Sequence, residues 1–469
     1  MDYKARIEQY FSDKEPALID AVKRLCAIRS VKDEPKPGMP FGEGCDAALQ
    51  ESLTIAAEMG LTTKNYDGYV GTVDLNDKET ELHILGHMDV VGEGTGWTVC
   101  QPYEPTVVDG CIYGRGTSDD KGPMVSALMA LQCVKELEIP LSKNVRVILG
   151  TDEESGSEDI AYYYAKEPFA PYSFSPDADF PVINIEKGMY RPEFSMKWEP
   201  ETEGPRVVSF HGGFRLNVVP PEAECVVEGL PMRGIYTVCM KVGQSTGVEF
   251  RVKPMGEGRI QIKALGQSAH AMEPEKGRNA LTALLSVLYI CPLKEDLAST
   301  KAIRALFELL PPKDTRGTNL GIEQSDELSG ELTVAFTMLD MDDTGIVGRF
   351  DSRVPICANE ENCQKVVESK MGGYGFTVTG DMKAPHHTPA ETPFVQTLLK
   401  CYEQYTGEKG ECMSIGGGTY VHGIPGGVAF GPVMPGFVTN LHGPDERISI
   451  DHLMTAAKIF AQVIVDVCS

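Results

Sequence analysis

Val145–Asp159 reads VRVILGTDEESGSED. An apolar run of strand character stops at Gly150, and five acids follow within eight residues. Two of them, Glu153 and Glu154, are adjacent at the end of what reads as a buried strand. Like charges that close repel, and a carboxylate near low dielectric is costly unless something compensates it. The stretch is therefore either a solvated loop or one side of a cation site.

Working outward, the helical pattern GPMVSALMALQCVKELEI precedes this strand, and the apolar run ELHILGHMDVV precedes the helix. Strand, helix, strand predicts a βαβ-type arrangement and an α/β sheet with parallel pairs. Residues 1 to 60 carry two helical stretches, ALIDAVKRLCAI and CDAALQESLTIAAEMG, around a Pro/Gly loop. The texture changes at Lys187 to alternating runs such as RIQIKALGQ and ELTVAFTMLDMDD, interrupted by the helical patterns NALTALLSVLYI and ENCQKVVESKM. After Ala384 the α/β texture returns and ends in the amphipathic helix DHLMTAAKIFAQVIVDV. The expected organisation is one α/β domain with a mixed central sheet, built from residues 1–186 and 385–469, with an α+β domain, 187–384, inserted.

Bulk properties narrow the function. With 469 residues the chain is too long for one small core. A net charge of -25 argues against nucleic acid or an anionic membrane as partner, since phosphate would be repelled. Thirteen cysteines without a CxxC pair read as free thiols in a reducing compartment. The charged N-terminal stretch lacks the apolar core of a signal peptide, and ALTALLSVLYICPL is too short for a membrane span. A cytoplasmic protein is expected.

His87 and Asp89 sit in LGHMD, where the run ELHILG ends, and ligands in open α/β sheets bind beyond the carboxyl ends of strands. His-x-Asp there suits a metal ligand with a carboxylate near its imidazole, or a hydrogen-bonded strand-end histidine. GCIYGRGTSDDKGPMVSAL lacks the spacing of a phosphate or dinucleotide loop, and Asp119 and Asp120 would repel phosphate. One aspartate is enough to cap a helix, so the pair leans towards metal. Of Glu153 and Glu154, one can ligate a cation and the other accept a proton from activated water. Asp177, with Asp179 as its competitor, and His442 in TNLHGPDERISI complete the set. Each alone reads as a polar loop residue. Together they form a mixed N/O set that suits zinc, manganese or cobalt better than magnesium or calcium.

HMD, GRGTSDDKGP, DEESGS, SPDADFPV, GQSAHAMEPEKGRNA, GGGTY and LHGPDE follow one another in a single order. This order resembles the dinuclear metallopeptidase family of aminoacylase, carboxypeptidase G and carnosinase, and most closely its PepV-type bacterial dipeptidases. The resemblance spans nearly the whole chain. It implies two divalent ions per subunit, zinc first and manganese or cobalt as alternatives. His87 and Asp177 would hold one ion, Glu154 and His442 the other, and Asp119 would bridge both, with the peptide after it often cis in relatives. Asp89 would orient His87, and Glu153 would be the general base. His270 would hydrogen-bond the developing oxyanion. Asn217 and Arg353 would be substrate-binding residues of the lid. Arg349, Asp351 and Arg353 share a strand face, so an Arg353–Asp351 pair and a working Arg349 stay open as alternatives. A substrate carboxylate would be met by a bidentate arginine and the amides of Gly416, Gly417 and Gly418.

The resemblance thus implies a dipeptidase for unblocked dipeptides, acting through a metal-bridging hydroxide. Alternatives are the same chemistry on N-acyl amino acids or tripeptides, and a catalytically silent metal- or peptide-binding protein. The long insert resembles the PepV-type lid, which supplies its histidine within one chain, so a monomer acting on a small peptide is expected. One departure stands out. After GGGTY the subgroup usually continues Ala-Arg, and this chain has Val421 and His422. Cys100, Cys111 and Cys412, near the site motifs, are expected to be buried.

Overall fold

The computed structural model of the chain describes residues 3–469. The chain up to Glu186 and the segment His387–Ser469 form one compact unit, and Lys187–His386 form a second. The return junction lies two residues beyond the Ala384 boundary read from the sequence.

The first unit is built on a mixed sheet. Its strands run in the order Thr62–Tyr66, Val70–Asp74, Asn144–Gly150, Thr80–His87, Tyr172–Ser175, Val428–Ala429, Val182–Glu186. Thr80–His87 is parallel to both Asn144–Gly150 and Tyr172–Ser175, with His87 opposite Gly150. The pairs at the Thr62 edge are antiparallel. Helix Lys121–Glu136 makes the crossover between the two longest parallel strands and is buried along almost its whole length. It packs on the C-terminal helix Ile450–Cys468, as expected for a doubly covered parallel core whose strands read as continuous apolar runs. Ile84, Val147, Leu149, Met124, Leu128 and Phe460 share this core.

Helix and strand approach closely at Gly86. A Cβ there would come within 2.2 Å of Met124 Sδ, so a side chain would push the helix off the strand that ends in His87. Three parallel strands thus deliver His87, the Glu153–Glu154 turn and Asp177 to the same edge of the sheet.

The second unit is an antiparallel sheet in the order Glu249–Gly256, Arg259–Leu265, Glu222–Glu228, Arg206–Gly212, Thr333–Met341, Gly345–Val354, Gly188–Tyr190. Helices Met232–Thr246, Ala280–Ile290 and Ala298–Leu309 contact it and one another. The first and third of these are absent from the sequence reading, which found helical patterns only at NALTALLSVLYI and ENCQKVVESKM. Met232–Thr246 contains Gly234, Val238, Val242 and Gly243, which are weak helix formers. It is held by burying Ile235, Cys239 and Val242 on one stripe. Ala298–Leu309 buries Ala302, Ile303, Leu306 and Leu309, and that spacing was the signal to read.

Among the described residues no helix is long and apolar enough to cross a membrane. The cysteines are free thiols, but Cys100, Cys111 and Cys412 are half-buried, not buried as expected. They lie at strand starts and in loops, where side chains keep some contact with solvent.

Candidate functional site

Asp119 is the centre of the site. Its Oδ1 lies 2.9 Å from His87 Nε2 and its Oδ2 lies 2.8 Å from His442 Nε2. Asp177 Oδ2 is 3.7 Å from His87 Nε2, and Glu154 Oε1 is 3.2 Å from His442 Nε2. Two groups that could hold a metal ion result, His87–Asp119–Asp177 and Asp119–Glu154–His442, and they share Asp119. The peptide between Asp119 and Asp120 is cis.

Carboxylates and imidazoles crowded together in a buried setting shift one another strongly. Burial opposes ionisation of Asp119, but His442 and His87 outweigh it and hold the carboxyl well below its ordinary range. Burial also works against a proton on either histidine. Asp119, Asp177 and Asp89 nevertheless hold His87 well above its ordinary range, and Asp119 and Glu154 bring His442 to about 11. Burial, with repulsion from Asp119, lifts Glu154 to about 7 and Asp177 to about 6. Glu153 is held well above the carboxylate range, chiefly by burial, with repulsion from Asp177, Glu154 and Asp119 against the pull of His87. A cation held by these groups would compete with their protons, which couples metal binding to proton release. Glu154 Oε1 is buried, and its contact with His442 at 3.2 Å falls short of good hydrogen-bond geometry, which leaves acceptor capacity that a metal ion would satisfy. Imidazole nitrogens with carboxylate oxygens form a donor set that fits a divalent metal ion.

Asp89 serves the site in two ways. His87 Nδ1 is 2.9 Å from the Asp89 carbonyl oxygen and 3.4 Å from its carboxylate. The Asp89 carboxylate also accepts the amides of Glu153 at 3.2 Å and Glu154 at 3.1 Å. It therefore fixes the turn that aims both glutamates.

Several residues that the sequence reading left without a role build the frame. Glu446 is fully buried and receives Arg115 Nη1 at 2.5 Å. Its other oxygen accepts the amides of Gly116, Ser118 and Asp119 at 3.0, 3.0 and 3.3 Å. Arg115 Nη2 also donates to the His442 carbonyl at 3.2 Å. One buried ion pair thus ties the Asp119 loop to the His442 loop. Tyr420 lays its ring edge-on to His87, with centroids 6.2 Å apart, and its hydroxyl donates to the buried Asp159. Asp159 accepts the amides of Thr151 and Asp152, just before the glutamate turn. Arg115 lies in GRGTSDDKGP, Tyr420 in GGGTY and Glu446 in LHGPDE, so the motifs were visible and only the contacts were not.

Gly416, Gly417 and Gly418 follow strand Cys412–Ile415, which is parallel to Val182–Glu186. They do not belong to either histidine–carboxylate group. Asp179, the competitor of Asp177, is also outside both groups.

In the second unit, Asn217 and His270 are neighbours. Val218 bridges to His270, and the Ala271 amide donates to the Asn217 carbonyl at 2.8 Å. His270 is exposed, and its Nδ1 accepts the Met272 amide at 3.1 Å, which puts the ring proton on Nε2. Arg353 is buried and makes a two-pronged contact with Asp351, Nε to Oδ1 at 2.7 Å and Nη2 to Oδ2 at 3.1 Å. Arg191 shares that aspartate at 2.9 Å, while Arg349 pairs with Glu193 at the surface. Arg353 is thus paired with Asp351, and Arg349 with Glu193.

Comparison with known proteins identifies the family. The profile of Peptidase family M20/M25/M40 matches residues 83–466. YtjP of Bacillus subtilis (strain 168), provisionally named a dipeptidase, is 38% identical over 458 residues, covering 96% of this chain and 97% of that one. The beta-Ala-Xaa dipeptidase of Lactobacillus delbrueckii subsp. lactis is 32% identical over 459 residues, covering 96% of each. Among solved structures, human carnosine dipeptidase 1 has a TM-score of 0.59 at 16% identity, covering 100% of this chain and 99% of that chain. Aminoacylhistidine dipeptidase from Vibrio alginolyticus has a TM-score of 0.57 at 14% identity, covering 98% of both. These structural likenesses speak to the fold. The chain belongs to peptidase family M20/M25/M40. It is a metal-dependent peptide hydrolase.

Proposed function

We propose that the chain is a dipeptidase of the PepV type, which holds two divalent ions and hydrolyses unblocked dipeptides with Glu153 as general base. The observation that carries this reading is the division of Asp119, one oxygen towards each histidine. His87 and Asp177 would hold one ion, and Glu154 and His442 the other, with Asp119 shared. Bound there, the ions would supply polarisation of the scissile carbonyl and activation of a water molecule.

The chain's own residues do the rest. Asp89 fixes the Glu153 amide and so the direction of that carboxylate. Glu153 belongs to neither ligand group, which leaves its carboxylate to take the proton of the attacking water and return it to the departing amine. His270, with its proton on Nε2, is assigned to the developing oxyanion. Asn217 and Arg353 are assigned to substrate, and the amides of Gly416, Gly417 and Gly418 to the substrate carboxylate. Dipeptide substrates are supported by the names of the two relatives, and β-alanyl dipeptides by the second of them.

The test is hydrolysis of a panel of dipeptides, β-alanyl members included, each beside its N-acetylated form. Metal-stripped protein would receive zinc, manganese or cobalt. Metal-dependent cleavage of the free-amine members alone is the expected result. Cleavage of the acetylated members alone would move the activity to a deacylase.

We also infer a monomer working in the cytoplasm, supported by the long inserted unit and the free thiols. Light scattering should return a mass near 51.1 kDa, and twice that value would overturn the inference.

A further inference from the structure

Glu186, Thr419 and His422 form a polar cluster buried in the first unit that the hydrolytic chemistry does not use. The Glu186 carboxylate accepts the Thr419 amide at 3.1 Å, the Thr419 hydroxyl at 2.8 Å and His422 Nδ1 at 3.0 Å. A buried carboxylate is retained only where donors surround it, so these contacts hold one geometry. The cluster lies against the glycine run. A Cβ on Gly418 would meet both Glu186 Oε2 and His422 Nδ1 at 3.3 Å. Two residues after Gly418, Tyr420 touches His87. The turn that starts at Thr419 is thus held at one point by Glu186 and at the next by the metal-centre histidine.

We propose that His422, through Glu186, is a positioning residue that sets the glycine run for a free substrate carboxylate. His422 supplies a directional Nδ1 donor to Glu186 directly beside Gly418, the last residue of the loop assigned to an anion. The proposal rests on the assignment of Gly416–Gly418 to the substrate carboxylate. Loss of the donor frees the Glu186 carboxylate to draw on the loop amides, and the cradle loosens without disturbing the reacting centre.

The experiment measures kcat and KM for one dipeptide and its C-terminal amide, with bound metal counted for every variant. The wild type should prefer the free acid. His422→Gln, which cannot place a donor at the Nδ1 position, should raise KM for the free dipeptide about 10-fold, as expected for one lost charge-assisted hydrogen bond. Its kcat, its metal content and its KM for the amide should stay within about 3-fold of wild type. His422→Asn, whose side-chain amide reaches the Nδ1 position, should restore KM. Thr419→Val, which removes the other side-chain donor to Glu186, should show the same split as His422→Gln and serves if that variant does not fold. An unchanged KM, or equal losses on both substrates, overturns the proposal while the carboxylate assignment stands. A wild type that cleaves the amide as well as the acid overturns the assignment, and the proposal with it.

Discussion

Asp119 Oδ2 lies 2.8 Å from His442 Nε2, although 323 residues separate the two in the chain. The other oxygen of the same carboxylate faces His87. A ligand shared in this way makes the two ion sites interdependent. Asp119→Ala should therefore lose both ions together, not one, and activity should be lost with them. Metal counted by atomic absorption after dialysis decides the matter. One tightly held ion per chain would mean that the sites are independent.

Glu153 and Glu154 are adjacent but differ in their surroundings. Glu154 Oε1 is 3.2 Å from His442 Nε2, and Glu153 is outside both ligand groups. Glu153→Ala should keep its metal and lose turnover by about 10²–10⁴-fold, the range of a general base. Glu154→Ala should lose metal. If the Glu153 variant loses metal and the Glu154 variant keeps it, the two roles are reversed.

The Arg115–Glu446 pair is buried on both sides. Glu446→Gln would leave the guanidinium without its counter-charge, at a cost of about 3–5 kcal/mol. The same change weakens the acceptor for the Ser118 and Asp119 amides. A lower urea midpoint together with weaker binding of both ions is the expected outcome. Normal stability with normal metal affinity would show that the loop is held by other contacts.

His83, buried in the strand that ends at His87, is pushed down to about 3, first by burial and then by Arg146. Its folded-state proton affinity is thus below that of the unfolded chain, near 6.5. The neutral ring therefore contributes stability that is complete above about pH 6.5 and is lost as the pH falls towards 3. Within that window the slope reaches ~1.4 kcal/mol per pH unit. His83→Gln should flatten the loss of stability between pH 6.5 and 5, read as the difference in urea midpoint from wild type. Parallel curves for the two proteins would remove His83 as the cause.

Much of the site was legible because its residues stand where apolar runs stop. ELHILG ends at His87 and NVRVILG ends just before Thr151 and the glutamates, so strand periodicity alone brings them to one edge of the sheet. The inserted unit was less legible. The weak propensity of Met232–Thr246 is overridden by packing, and no local pattern could decide between Arg353 and Arg349, since both alternate on the same strand.

The sequence by itself determined the order of motifs, the mixed N/O set and the α/β framework, because these depend on residue type and local period. Only the tertiary structure decided which Asp119 oxygen meets which histidine and that Asp89 also holds the glutamate turn. It also decided that Glu446 and Arg115 join two loops more than 300 residues apart. Those are long-range contacts between side chains. Their geometry follows from how strands, helices and loops close on one core, and no single stretch of the chain contains it.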